Sequence, residues 1–140
     1  ESLSALRLLD GLFNIYMPDA KYGSGSAGKI YSGVDDYYSR FKEAVREMQQ
    51  QVGDLILDQD GLARRGLLIR HLVMPDNLAK SEEIARFISE EVSPSSAVNV
   101  MAQYYPAYRT QEFSTICRRI TSTEYLDARE TFRRFGLNLL

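Results

Sequence analysis

Three apolar segments constrain this chain most strongly, because each ends in polar residues and the distances between them suit helical crossovers. The segments cover residues 12–17, 66–74 and 97–103. Parallel strands require connections of a dozen or more residues, and helices usually supply them. The spacing therefore predicts an α/β fold with three parallel strands arranged as part of a barrel. In (β/α) barrels the carboxyl ends of the strands carry the chemistry, so we expect the functional residues there.

Helical patterns fill the intervals between these segments. A first helix is expected to end near residues 10–11, where Gly11 can adopt a left-handed cap. A second is predicted over residues 37–52, since apolar positions recur there at helical spacing. Two more are predicted at residues 81–92 and 121–136, the latter opening on a capping box.

Two glycine-containing stretches predict connections. An Asp60-Gly61 turn follows a short apolar run, which indicates a β-hairpin insertion over about residues 54–66. The glycine-rich run at residues 23–28 lacks both the ending of a P-loop and the spacing of a dinucleotide fingerprint. We therefore expect this run to be a flexible loop.

Length and composition favour a single domain over residues 1–140 and argue against several classes of partner. The chain has 140 residues, of which 44% are hydrophobic, and a formal net charge of −2. Because acidic and basic residues are interspersed, nucleic acid is not an expected partner. No apolar run approaches the ~20 residues that span a bilayer, and the start lacks a signal-peptide pattern. We expect a cytoplasmic protein without a membrane partner.

Cysteine and histidine usage restricts the chemistry further. Cys117 is the only cysteine and His71 the only histidine. An internal disulfide framework and a cysteine-built metal site are therefore excluded within this chain. The sequence begins at glutamate, inside a predicted helix, which indicates a piece of a longer protein.

Strand alternation predicts that several polar side chains share the inner face of the sheet. Asp19 and Lys21 project together near the end of the first strand. Placing Arg70 inward on the second strand sends His71 toward the helices, as a core histidine rather than a catalyst. On the third strand, the inward residues include Asn99 and Gln103.

These inward residues predict a pocket that mixes charges with amides. Lys21 and Arg70 suit a ligand carboxylate, while Asp19 suits an ammonium group or a metal ion, so an amino-acid moiety would fit. The alternative is that the charges merely neutralise one another inside a closed barrel. Periodicity alone leaves both interpretations open.

Six short motifs follow one another along nearly the whole chain. They lie at residues 8–11, 16–22, 29–33, 48–55, 65–75 and 99–106. In order and spacing they resemble the C-terminal half of radical S-adenosylmethionine proteins of the pyruvate formate-lyase activating type. The resemblance implies an oxidoreductase with a partial (β/α)6 barrel, in which a 4Fe–4S cluster held by three cysteines reductively cleaves S-adenosylmethionine.

The same resemblance assigns roles to individual residues. Lys21, in an Asp-x-Lys motif, and Arg70 would approach S-adenosylmethionine, while Met17 and Asp19 match positions that help bind a monovalent cation. Residues 103–105 match the sixth barrel strand of that family, which would contact the adenine or ribose of S-adenosylmethionine. The histidine usual in that strand is absent here. The candidate cofactor-binding residues are Asp19, Lys21, Arg70, Asn99, Gln103 and Tyr105.

The cysteine triad of that family is missing from this chain. Cys117 follows the last predicted strand, so it cannot carry the cluster, which is expected in the parent protein only. The implied partners are the missing N-terminal half-barrel and a glycyl radical enzyme or another protein substrate. Self-association through the unpaired first strand is also expected. The alternative is a cluster-free half-barrel that binds a ligand or associates with itself, without catalysis.

Overall fold

The apolar segments form a mostly parallel sheet in the computed structural model, which describes residues 2–140. The strands are β1 (Ile15–Tyr16), β2 (Asp19–Ala20), β3 (Ile56–Leu57), β4 (Ala63–Leu72), β5 (Ala97–Met101) and β6 (Asn138–Leu139). β1 and β2 follow each other along one side of β4 in a common parallel register. β5 lies parallel to β4, and β6 lies parallel to β5.

Helices connect the strands and cover one face of the sheet. They are α1 (Leu3–Leu8), α2 (Gly25–Ser32), α3 (Tyr37–Val52), α4 (Ser81–Phe87) and α5 (Ser122–Arg134). A π-helical turn (Ile88–Val92) continues α4, and short 3-10 turns occur at Pro75–Asn77 and Tyr108–Glu112. The α/β class and the parallel sheet flanked by helices are confirmed.

The strongly patterned elements fall where the sequence predicts them. α3 has the predicted bounds, and α4 with its π-helical turn spans the predicted fourth segment. α5 opens on the predicted capping box, in which Glu124 N donates to Thr121 Oγ1 at 3.1 Å and Thr121 N donates to Glu124 Oε2 at 2.7 Å. β3 pairs antiparallel with the start of β4, which confirms the hairpin insertion.

The prediction of a flexible loop at residues 23–28 is wrong. α2 begins inside this run, and the Ser24 side chain accepts from the backbone N–H of Ala27 at its start. Gly28 is buried against α3, where an added Cβ would lie 2.6 Å from Cβ of Tyr37. Glycine is therefore required here for close helix packing and not for flexibility.

The predicted strand bounds also need correction. The first strand divides into β1 and β2, because Pro18 has no N–H to donate and interrupts the ladder with β4. Pro18 O still accepts from Arg70 N at 2.9 Å, so the two pieces stay in register. The parallel sheet also has a fourth position, β6, which is too short for a sequence pattern to reveal.

The two faces of the sheet have different surroundings. Leu67, Ile69 and His71 of β4 point into the core. Side chains from β5, α3, α4 and α5 pack around them, including Val98, Val45, Ile84 and Phe132. The alternate residues Leu68 and Arg70 are only half-buried. The helices therefore cover one face more completely than the other.

The first strand lies at an edge of the sheet. In the strand order of residues 2–140, β1 and β2 have β4 on one side and no strand on the other. A mostly apolar groove of about 450 Å³ runs beside this edge, between α1 and β1. Phe13, Ile15 and Met17 line it and are exposed. Along β1, this edge can accept a further strand.

Candidate functional site

Three of the predicted site residues meet where β2 lies beside β4. Asp19 and Arg70 are register partners, and both Nη2 and Nε of Arg70 donate to Asp19 Oδ1, at 2.6 and 2.7 Å. Lys21 Nζ lies 3.7 Å from the other carboxylate oxygen, Oδ2. The Asp19 and Arg70 side chains are 31% and 34% exposed. Ion pairs with this much exposure stabilise a fold by about 1 kcal/mol or less, so the charges remain available to a ligand.

Asn99 extends this group across the sheet. It is the register partner of Arg70 on β5, so Asp19, Arg70 and Asn99 form a row over three neighbouring parallel strands. Residues directly opposite each other share a face of the sheet. These three residues therefore lie on one face of the sheet, and their role in binding stays a prediction.

A hollow of about 500 Å³ opens beside the charged group. Asp19, Lys21, Arg70 and Met17 line it on the sheet side. α3 closes its other side through residues that include Tyr37, Arg40, Phe41 and Ala44. Met17 is exposed and lies near Asp19 in this hollow, whereas both Asp19 oxygens already face cationic side chains. The monovalent-cation role of Met17 and Asp19 stays a prediction.

Gln103 and Tyr105 lie beyond the end of β5 and are exposed. Gln103 Nε2 donates to Met101 Sδ at 3.4 Å, and the guanidinium of Arg119 lies over the Tyr105 ring, 4.8 Å from its centroid. Among the residues described, neither side chain lines the hollow that holds Asp19. Their predicted contact with an adenine or ribose stays a prediction.

His71 lies in the core, as predicted. It is fully buried, with Nδ1 3.0 Å from Ala20 O and Nε2 2.9 Å from Ser81 Oγ. The carbonyl can only accept, so Nδ1 carries the proton and Nε2 accepts from the serine hydroxyl. Burial lowers the pKa of His71 to about 4, so the ring is neutral near pH 7. It stabilises the interior and does not face the hollow.

Tyr37 is a site residue that sequence reasoning missed. Its hydroxyl donates to Asp19 O at 2.9 Å and accepts from Lys21 N at 3.1 Å. The sequence identifies it only as the first residue of α3. Because the contact joins residues 16 and 18 positions apart, no local pattern could indicate it.

A second group that sequence reasoning missed links the loops that follow β4 and β5. Arg118 Nη2 donates to Asp76 Oδ1 at 2.7 Å and to Glu124 Oε1 at 2.8 Å. The Arg118 guanidinium holds the pKa of the Glu124 carboxyl well below its usual range. Asp76 has a φ of 54°, a left-handed conformation that its ion pair and its N–H bond to Glu124 help to maintain. These contacts fix both loops at the carboxyl end of the sheet.

No set of three or more His, Cys, Asp or Glu side chains within residues 2–140 could hold a metal ion. Cys117 is exposed, and its thiol donates to Ser114 O at 3.1 Å.

None of the helices within residues 2–140 has both the length and the apolar character that crossing a membrane requires.

Sequence comparison finds similarity to an archaeal protein. The chain is 33% identical over 140 residues to the uncharacterized protein MJ0674 of Methanocaldococcus jannaschii, and the match covers 99% of this chain. It covers 37% of that relative, so the chain spans well under half of the relative's length. No protein-family model and no solved structure matches the chain.

Proposed function

We propose that this chain is the C-terminal half of a partial (β/α)6 barrel in a radical S-adenosylmethionine enzyme of the pyruvate formate-lyase activating type. Within that enzyme, the chain would contribute to the binding of S-adenosylmethionine. One observation carries the proposal: Asp19, Lys21 and Arg70 meet at the carboxyl ends of neighbouring parallel strands, beside an open hollow. Ligands of open α/β sheets and of barrels bind at these ends. The cytoplasm, where cysteines such as Cys117 stay reduced, belongs to the same proposal.

The charged group suits the amino-acid end of S-adenosylmethionine. That end carries one carboxylate and one ammonium group, which Lys21 with Arg70 and Asp19 complement in charge. The ion pair between Asp19 and Arg70 must loosen before the two side chains can bind the ligand. Because both side chains are partly exposed, the free-energy cost of loosening the pair is small. When bound, S-adenosylmethionine would supply an organic radical on reductive cleavage.

The residues described do not fit an iron–sulfur cluster. A 4Fe–4S cluster needs thiolate ligands, and Cys117 is the single cysteine of the chain. The proposal therefore places the cluster and its cysteines in the N-terminal half of the parent protein. A glycyl radical enzyme or another protein substrate would approach from the carboxyl ends of the strands.

The free edge of β1 is the surface that the N-terminal half would use. A strand added there would pair with the backbone and cover the groove lined by Phe13, Ile15 and Met17. The much greater length of the archaeal relative supports a parent protein with room for that half.

Isothermal titration of this chain with S-adenosylmethionine tests the proposal. Lys21→Glu is expected to weaken binding at least about tenfold, because it replaces attraction to the carboxylate with repulsion. Lys29→Glu is the matched control, since Lys29, on α2, pairs with exposed Asp35 and does not line the hollow. Equal binding by both variants, or no binding by the unmodified chain at millimolar ligand, would contradict the proposal.

A second candidate is a cluster-free half-barrel that associates with itself, and the exposed groove beside β1 favours it. Two copies that pair through this edge would bury the groove residues. Sedimentation equilibrium over a concentration series should then show association that Ile15→Lys abolishes. Ile30→Lys is the control, because Ile30 is exposed on α2, away from the groove. A strictly monomeric chain at high concentration excludes this candidate.

A further inference from the structure

The hydroxyl of Tyr37 bridges the backbone on both sides of Ala20. It donates its proton to Asp19 O at 2.9 Å and accepts the N–H of Lys21 at 3.1 Å. A tyrosine hydroxyl offers one donor and a small acceptor capacity, so both functions are used on this one segment. The segment carries the two charged side chains that face each other at 3.7 Å.

The bridged groups lie on the outer side of β2. Pro18 O accepts from Arg70 N of β4, and successive carbonyls of a strand point in opposite directions. The Asp19 carbonyl therefore points away from β4, toward the free edge of the sheet. Tyr37 occupies hydrogen-bonding positions that a further strand would otherwise use at this point.

The Tyr37 ring is itself held firmly. It packs edge-on against Tyr22, with ring centroids 5.2 Å apart, and stacks on Phe41 at 6.3 Å. The close approach of Gly28 to Cβ of Tyr37 fixes the start of α3 against α2. Burial raises the pKa of Tyr37, so its hydroxyl keeps the proton that it donates.

We infer that Tyr37 is a positioning residue: it holds the backbone from Asp19 to Lys21 so that both side chains face the hollow in a fixed arrangement. The inference rests on the proposed function, since the ligand bound there is S-adenosylmethionine. Tyr37 acts through the backbone and does not need to touch the ligand. Holding the segment in place before binding removes an ordering cost that the ligand would otherwise meet.

Tyr37→Phe tests this inference, because it removes the hydroxyl and keeps the ring. Tyr38→Phe is the matched control: Tyr38 Oη also donates to a backbone carbonyl, that of Glu83 at 3.0 Å, which is not in the Asp19–Lys21 segment. We expect Tyr37→Phe to speed amide hydrogen exchange at Lys21 about tenfold, measured by NMR. It should also raise the Kd for S-adenosylmethionine about three- to tenfold. Tyr38→Phe should change neither quantity.

The outcomes separate this inference from the proposed function. An unchanged Lys21 exchange rate in Tyr37→Phe overturns the inference, as does faster exchange with an unchanged Kd. If the unmodified chain does not bind S-adenosylmethionine, the proposed function fails while the exchange data still decide whether Tyr37 restrains the backbone. Should Tyr37→Phe fail to fold, the unmodified chain decides instead: a Lys21 amide that exchanges as fast as an unstructured peptide contradicts the restraint.

Discussion

Arg70 and His71 are neighbours on β4, yet they occupy opposite environments. His71 is fully buried and neutral, with both ring nitrogens bonded inside the protein. Arg70 is one-third exposed and shares its partner Asp19 with Lys21 beside an open hollow. One face of this strand is thus packed into the core, whereas the other presents charged groups to an open hollow. We expect changes on the covered face to act mainly on folding, and changes on the open face mainly on binding.

The largest expected effect is on the covered face. Phe132→Ala removes a fully buried ring that packs on His71, with centroids 4.9 Å apart, and should lower the free energy of unfolding by about 3–5 kcal/mol. Arg70→Met, on the open face, should lower it by about 1 kcal/mol or less. Urea unfolding followed by circular dichroism measures both. Similar losses in the two variants would contradict the division between the faces.

A smaller decrease in the free energy of unfolding should appear as the pH falls. The pKa of His71 is about 4 in the folded chain and about 6.5 when it is unfolded, so the unfolded state binds the proton more tightly. This contribution to stability is present above pH 6.5 and is lost as the pH falls toward 4, by up to about 3 kcal/mol. Unfolding free energies measured between pH 7 and 4 should show the decline.

His71→Gln is the control for this titration, because glutamine can bond inside the protein and does not ionise in this range. Its stability should be lower at pH 7 but should vary less between pH 7 and 4. A decline of the same size in the variant would assign the pH dependence to other groups.

The elements that could be predicted from the sequence are those whose signal is local. α3 shows apolar positions at helical spacing, and α5 carries its capping box within four consecutive residues. The alternation along β4 also predicts the faces of Arg70 and His71 correctly. Each pattern spans enough residues for its period to be recognised.

The features that could not be predicted from the sequence depend on contacts between residues that lie far apart in it. Tyr37 contacts β2 although α2 lies between them in the sequence. Arg118 contacts Asp76, which lies 42 positions earlier in the chain. β6 has two residues, fewer than any alternation needs. The sequence around Gly28 predicts flexibility, because nothing in it shows that Gly28 packs against Tyr37 in the folded chain. Local patterns predict elements, whereas these contacts depend on how the elements pack.

The division of the first strand at Pro18 bears on ordered aggregation. Fibril growth needs a long, flat edge that offers repeated backbone bonds to successive chains. Here the backbone groups that face outward extend only from Ile15 to Met17. Beyond them, the Tyr37 hydroxyl bonds the carbonyl of Asp19 and the N–H of Lys21. The edge is long enough for one short matching strand but too short to template an extended cross-β stack. Concentrated samples of this chain should therefore form small discrete assemblies rather than fibrils.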